Sequence, residues 1–367
     1  MRITFLSWRD TTHVDGGGSE IFTEQVAAEL VRRGHEVTIR CAAVPGQPAS
    51  QVRDGVRLSR AGGRLTVYPR ALAWLLRNRR SIDVVVDVIN GLPFASPLVR
   101  RRGIVALIHH VHREQWHIIY PGLGGTIGWF VESRITPLLY RGLPHLTVSD
   151  ATARDLVRLG VPERRITVAR NGVAHGAATD TALVPKAPVP TLAVLSRLVP
   201  HKQIEHLFQI AARLRGEFGD LRVDVIGEGW WHEELSAEAD RLGVGDLVRF
   251  HGHVPDEDRD RLLASAWLHV LPSVKEGWGL AISEAALQGT PTLAYRSAGG
   301  VNESVVDGVT GALCDDVDDL YETARTLLRD PARRSSLGEQ ARAHAATLTW
   351  SATADTVEEA LARASRR

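Results

Sequence analysis

At 367 residues the chain is longer than one hydrophobic core usually supports, and its balance of 44% apolar and 24% charged residues is that of a globular protein, so two domains are expected. The net charge of +1 conceals a division at residue 180, with 24 Lys or Arg against 15 Asp or Glu before it (+9) and 20 against 28 after it (−8). No run of about 18 apolar residues occurs, which argues against a spanning helix, and MRITFLSW is too short and too soon polar for a signal peptide, so the expected location is the cytoplasm.

The first 40 residues set a parallel-sheet grammar: a strand from Arg2 to Ser7, a loop with Gly16, Gly17 and Gly18, a helix, and a second strand. Ile21, Val26, Ala27, Leu30 and Val31 recur near a 3.6-residue period, and Gly34 is the expected stop. Apolar strands follow at Val84 to Val88, Ile104 to Ile108 and Leu146 to Ser149. Residues 174 to 190 have no periodic face and read as a linker. The grammar then restarts with strand Thr191 to Ser196, helix Gln203 to Glu217, and strands Arg222 to Ile226, Val248 to Gly252, Leu268 to Leu271 and Thr292 to Tyr295. A helix from Ser351 to Ala364 ends the pattern. Two doubly wound α/β domains are expected, 1–180 and 187–350, facing a central cleft with the carboxyl ends of their strands. Cys41 and Cys314 fall in different domains and read as structural thiols rather than a disulfide. Four tryptophans of the first half, Trp8, Trp74, Trp116 and Trp129, read mostly as core.

Three loops between a strand and a helix carry the chemistry. KEGWGLAISEA, residues 275 to 285, sets Glu276 and Glu284 eight positions apart around a glycine-bounded turn. The amides of Gly277, Trp278, Gly279 and Leu280 would lie at a helix N-terminus, an anion site, and each carboxylate could hold a vicinal diol. Two glutamates near a helix start are most often caps, but this pair lies between a buried strand and a helix. SRLVPHKQIE, residues 196 to 205, repeats that placement with Arg197 and Lys202. Lys186, Lys202 and Lys275 are the only lysines in an arginine-rich chain, so a compact charge at a strand mouth suits phosphate, and Arg197 adds a bidentate fork. The third loop, Gly16 to Gly18 before Ser19 and Glu20, allows close approach of backbone to a ligand.

That glycine loop raises a dinucleotide-dependent oxidoreductase, against which stand its length and the ending of the second strand in Arg40 and Cys41 where an acidic ribose ligand belongs. His109, His110 and His112 suggest zinc, but no further pair stands at ligand spacing, and His109 at a strand end reads better as a sugar contact. Ten arginines between Arg57 and Arg102 read either as a solvated face or as attraction toward phosphates or an anionic membrane surface; no nucleic-acid partner is expected.

GGGSE, IHH, VSDATARDL, the NGV at Asn171, SRL with Lys202, IGEG at Ile226 to Gly229, FHGHV and PSVKEGWGLAISEA together resemble glycosyltransferase family 4, retaining enzymes of the GT-B type. The resemblance runs nearly end to end, and its most specific part is the two-glutamate block with SRL and Lys202. It implies that Glu284 holds the nucleotide ribose, that Glu276 and His109 lie against the donor sugar, and that Arg197 and Lys202 bind the diphosphate. It also implies donor contacts from Gly17, Gly18, Gly229 and His253, acceptor contacts from Gly16, His112, Trp116 and Asn171, and a C-terminal helix (351–367) that crosses back onto the first domain. Trp278 stands where the family has Phe, and Ala174 where an acidic residue often follows NGV. HREQWHIIYPGLGGTIGWF has no family-wide meaning and is assigned to the acceptor site.

The expected activity is metal-independent, retaining hexosyl transfer from a UDP-sugar, preferred to a GDP-sugar, to a hydroxyl on a small molecule, glycan or lipid-linked acceptor. No convincing Asp-x-Asp element stands at a strand end, so fixed cations are expected to replace a metal at the leaving group and no cofactor is expected. The expected location includes peripheral contact at the inner face of the membrane. The alternatives are a related nucleotide-sugar epimerase or phosphorylase, and a noncatalytic nucleotide-sugar sensor.

Overall fold

A computed structural model describes residues 1–173 and 184–366. The chain forms two compact units, Met1–Gly172 with Thr349–Arg367, and Val173–Leu348. In the first unit the chain runs β1 (Arg2–Leu6), α1 (Gly18–Arg32), β2 (Glu36–Cys41), β3 (Ser50–Arg53), β4 (Val56–Arg60), α2 (Val67–Asn78), β5 (Val84–Val88) and β6 (Ile104–Ile108). It continues through α3 (Arg113–Ile119), α4 (Leu123–Phe130), α5 (Thr136–Leu139), β7 (His145–Thr147), α6 (Asp150–Arg158) and β8 (Ile166–Val168). Among the described residues these strands make one eight-stranded sheet in the order β3-β4-β2-β1-β5-β6-β7-β8, parallel except for the β3–β4 hairpin. Ile3 of β1 lies beside Val37 and Val84 in register, and β5 and β6 are buried along their whole length, as expected for strands covered on both faces.

The β3–β4 hairpin was absent from the sequence reading, although Asp54 and Gly55, at φ of 49° and 77°, supply the Asp-Gly turn that favours one. It turns part of the arginine cluster inward. Arg60 forms a fully buried ion pair with Asp10, Nε to Oδ2 at 2.5 Å. Further along, the Arg100 guanidinium donates to the carbonyls of Arg79, Asp83 and Arg102 at 2.6 to 2.9 Å. Both arginines are therefore spent on the fold, whereas Arg77, Arg79, Arg80, Arg101 and Arg102 are exposed. The four first-half tryptophans are only half-buried, a correction to the expectation of core.

The second unit runs β9 (Thr191–Leu195), α7 (Glu205–Leu214), β10 (Arg222–Ile226), α8 (His232–Arg241), β11 (Val248–Gly252), α9 (Asp256–Ser265) and β12 (Leu268–Leu271). It is completed by α10 (Leu280–Leu287), β13 (Thr292–Tyr295), α11 (Val301–Ser304), β14 (Gly311–Cys314), α12 (Val317–Arg329) and α13 (Pro331–Ala345). Its six described strands are all parallel in the order β11-β10-β9-β12-β13-β14. Helix α7 is shorter than its hydrophobic period suggested, because Pro200–Lys202 closes a 3-10 turn and Gln203 takes a left-handed φ of 49°. Lys202 therefore sits in a tight turn ahead of the helix.

Of the expected linker, residues 174–183, Ala174 included, lie outside the described residues; the remainder packs on the second unit, where Lys186 Nζ donates to the Ala266 carbonyl and Thr290 hydroxyl at 2.8 Å. Burial lowers the Lys186 pKa to about 8. Cys41 and Cys314 are both unpaired and buried, one in each unit.

The chain then returns to the first unit as α14 (Trp350–Ser365), capped by the Thr349 hydroxyl accepting from the Ala352 amide. It lies along α1, with Val357 and Leu361 buried and Trp350 edge-on to Phe22 at 5.9 Å. Its outer side is tied by Arg33 to Asp355 and Glu358 at 2.6 and 2.9 Å. Leu361→Ala is expected to destabilise the first unit by about 2–4 kcal/mol, against less than about 1 kcal/mol for Arg33→Ala, whose partners are solvent-screened. Urea titration followed by tryptophan fluorescence measures both, and the reverse order would show that charge rather than packing docks the helix.

Candidate functional site

In the second unit the candidate groups stand on loops at the carboxyl ends of β9, β10 and β12, and main-chain bonds stitch those loops together. Ser196 N donates to Ile226 O, Leu198 N to Glu228 O and Gly227 N to Gly252 O, at 2.9 to 3.0 Å. The IGEG motif follows from this closeness: a Cβ at Gly227 would stand 2.1 Å from the Ser196 carbonyl oxygen, and one at Gly229 2.2 Å from that of Leu198. Arg197, half-buried, rides on the stitched segment.

The loop after β12 is braced from both sides. Val274 N donates to His201 O at 3.0 Å, which fastens it to the turn carrying Lys202. Glu276 N donates to Ala298 O and Gly300 N to Glu276 O, and a Cβ at Gly300 would meet the Gly277 carbonyl oxygen at 1.8 Å. The sequence reading did not single out Gly299 and Gly300; an SAGG run after a strand was the available signal. These braces bring Lys202 Nζ to 2.5 Å from Glu276 Oε1, with both side chains mostly buried. Two of the expected residues, 74 positions apart, thus form one ion pair at the mouth of the sheet.

Gly279, at φ +88°, caps α10, and the amides from Gly277 to Leu280 precede and open that helix. Trp278 is buried and donates its indole N–H to the Ser283 hydroxyl at 3.0 Å, so its side chain anchors the loop while its backbone lines it. Glu284 stands in the second turn of α10, 3.4 Å from Arg259 of α9, an arginine that no motif singles out. Burial raises the Glu284 pKa and Arg259 opposes the shift. A loosely paired, largely desolvated carboxylate of this kind can accept from two neighbouring hydroxyls. His253 follows β11 and is exposed.

In the first unit the glycine loop is held by the buried Asp10, which accepts from Thr12 N at 2.9 Å and from Arg60. Gly16 N donates to His13 O at 2.7 Å, and the Glu20 carboxylate reaches back to Gly17 N at 2.8 Å while pairing with Arg9 at 3.3 Å. Gly18 opens α1. Arg9 was not anticipated; nothing in its spacing marks it. His109 lies at the end of β6, buried, edge-on to Phe22 at 5.1 Å, with no hydrogen-bond partner at Nε2. Burial lowers its pKa to about 4, so the ring is neutral at pH 7. Asn171 is buried with its side-chain oxygen unpartnered. His112 and Trp116 are half-buried and share one carboxylate, Glu132. No group of three His, Cys, Asp or Glu side chains suited to a metal ion occurs among the described residues, and no helix among them is long and apolar enough to cross a membrane.

Residues 182–344 match the family described as glycosyl transferases group 1, and residues 16–176 match glycosyltransferase family 4. The chain is 33% identical to a D-inositol 3-phosphate glycosyltransferase of Thermobispora bispora over 96% of its own length and 91% of the relative's. It is 28% identical to an MMP alpha-(1->4)-mannosyltransferase of Mycolicibacterium hassiacum over 99% of both chains. Its fold is that of a sucrose-phosphate synthase from Thermosynechococcus elongatus, with a TM-score of 0.82 at 19% identity, covering 98% and 97% of the two chains. The chain belongs to glycosyltransferase family 4, has the GT-B fold, and is a hexosyltransferase that acts on nucleotide sugars.

Proposed function

We propose that this enzyme transfers a hexosyl group, with retention and without a metal ion, from a nucleoside diphosphate hexose to a hydroxyl of a sugar or cyclitol acceptor. The observation that carries the reading is the braced Lys202–Glu276 pair, on loops that also carry Arg197 and the opening amides of α10. A departing diphosphate needs positive charge fixed before it leaves, and a cation held in place by backbone bonds reorganises little as the charge develops. On this reading the arriving diphosphate competes with Glu276 for Lys202, and the freed carboxylate turns to the sugar hydroxyls. Glu284 accepts from the ribose diol. His109, neutral and with an unpartnered Nε2, is suited to a hydrogen bond with a sugar hydroxyl rather than to charge stabilisation. Retention follows if the acceptor attacks the face the diphosphate leaves and a phosphate oxygen takes its proton.

Lys202→Ala and Arg197→Ala are each expected to lower kcat by about 10² or more. Steady-state transfer from UDP-glucose and from GDP-mannose measures this and shows which base the enzyme prefers. Near-parental turnover in either variant removes that residue from the assignment. Transfer is expected to persist in excess EDTA; complete loss on chelation, restored by magnesium or manganese, would overturn the metal-free reading.

We propose in addition that the exposed arginines of the first unit make peripheral contact with an anionic membrane surface, as a lipid-linked acceptor requires. Arg77, Arg79, Arg80, Arg101 and Arg102 carry this reading, since Arg60 is buried and the half-buried Arg100 is bonded to backbone carbonyls. Each basic residue near such a surface contributes roughly 1 kcal/mol at low salt. Flotation with anionic vesicles, absent with neutral ones and reduced in the Arg101→Ser/Arg102→Ser variant, is the expected result. Absence of flotation at low salt means a soluble acceptor.

A further inference from the structure

The segment between β6 and β7 has no counterpart in the motifs that resemble the family, yet it holds a tightly specified group of side chains. The helical run that α4 begins and α5 continues is interrupted by a π turn at Val131–Ile135, a one-residue insertion of the kind that recurs at functional sites. It carries Glu132, whose carboxylate is buried and accepts three N–H groups: the His112 amide at 3.1 and 3.2 Å, His112 Nδ1 at 2.9 Å and the Trp116 indole at 2.6 Å. In the neutral ring this bond puts the proton on Nδ1 and leaves a lone pair on Nε2.

Trp116 is fixed from two further sides. A Cβ at Gly91 would stand 2.7 Å from its Cζ2 atom, and one at Gly128 2.3 Å from its Cε3, so only glycine at both positions admits the indole. The fixed ring belongs to a row: His110 and His112 are 4.1 Å apart between centroids, His112 and Trp116 6.4 Å, Trp116 and Tyr120 5.7 Å. Arg64 lies over Tyr120 at 5.6 Å and closes the row. His112 and Trp116 are half-buried and Tyr120 is exposed, so part of the row is open to solvent. A core tryptophan needs packing alone; a partly solvated one held by a buried carboxylate and two glycines is immobilised in advance, which lowers the entropy lost when a ligand rests on it.

We propose that Glu132 is a positioning residue that sets this row as a ledge for a polyhydroxylated six-membered ring of the acceptor. The ring's C–H face stacks on the indole and one hydroxyl donates to His112 Nε2. The inference rests on the transferase reading given above, and its test separates the two. Transfer to octyl α-D-mannopyranoside, octyl β-D-glucopyranoside and myo-inositol is measured beside acceptor-free hydrolysis of UDP-glucose and GDP-mannose, in the full-length protein, Glu132→Gln and Gly128→Ala.

Glu132→Gln is expected to raise the acceptor KM at least about tenfold with kcat within about twofold, the magnitude of one lost polar contact, while donor hydrolysis is unchanged. Nitrogen-15 spectra of the imidazoles should show His112 losing its single Nδ1–H tautomer, because the glutamine offers one accepting oxygen where the carboxylate offered two. Gly128→Ala displaces the indole without touching Glu132 and should raise the acceptor KM with the His112 tautomer kept. Unchanged acceptor KM in Glu132→Gln, an unchanged tautomer, or loss of donor hydrolysis in step with transfer would each overturn the positioning role. Donor hydrolysis by the parent with transfer to none of the three probes overturns the ledge alone, whereas absence of both hydrolysis and transfer overturns the transferase mechanism with it.

Discussion

Backbone contact at the carboxyl ends of β9, β10 and β12 is the constraint on which the second unit's chemistry depends. Parallel strands leave their loops on one edge of the sheet, and here those loops lie so close that carbonyl oxygens occupy the space of missing side chains at Gly227, Gly229 and Gly300. Lys202 and Glu276 meet because Val274 is bonded to His201 and Glu276 to Ala298, not because either side chain searches for the other. A surface ion pair between two such long side chains would be weak and mobile. Here main-chain bonds on both loops anchor the two residues at their backbones and bring the side chains together.

The first unit solves a similar problem with buried charge. Asp10 and Arg60 have no solvent contact, yet the carboxylate also accepts from Thr12, and its pKa falls because those bonds and the guanidinium outweigh burial. Asp87, in the middle of β5, is pushed the other way: burial raises its pKa although it accepts from Tyr140 and from the amides of Phe94 and Ser96. Asp10 ties the glycine loop to the β4 edge of the sheet, and Asp87 ties the 94–96 loop to its centre. Removing Arg60 alone would leave the Asp10 charge desolvated, which is far costlier than an apolar replacement of that whole pair.

Much of this was legible in the sequence where a period or a glycine carries the signal. Strands β5, β6, β12 and β13 begin and end where apolar runs do, because both faces of each are covered. Lys202 was visible as one of three lysines, and Glu276 and Arg197 as charged residues, at strand mouths. What escaped were relations rather than elements: Arg259 beside Glu284, Arg9 beside Glu20, Glu132 beneath His112 and Trp116. Each joins residues 11 to 25 positions apart through a tertiary contact with no fixed spacing. The π turn is invisible for a related reason, since its extra residue leaves the apolar pattern of a helix nearly intact.

The return of α14 to the first unit has a consequence for the order of synthesis. The apolar face of α1, with Phe22 and Val26, receives its cover from residues that follow the whole of Val173–Leu348. At about 5–20 residues per second, a ribosome takes roughly 10–35 s to translate that intervening unit. Throughout that interval the first unit is a nascent domain with an open hydrophobic flank, and only translation of the final helix closes it. The first unit is thus begun before the second and finished after it.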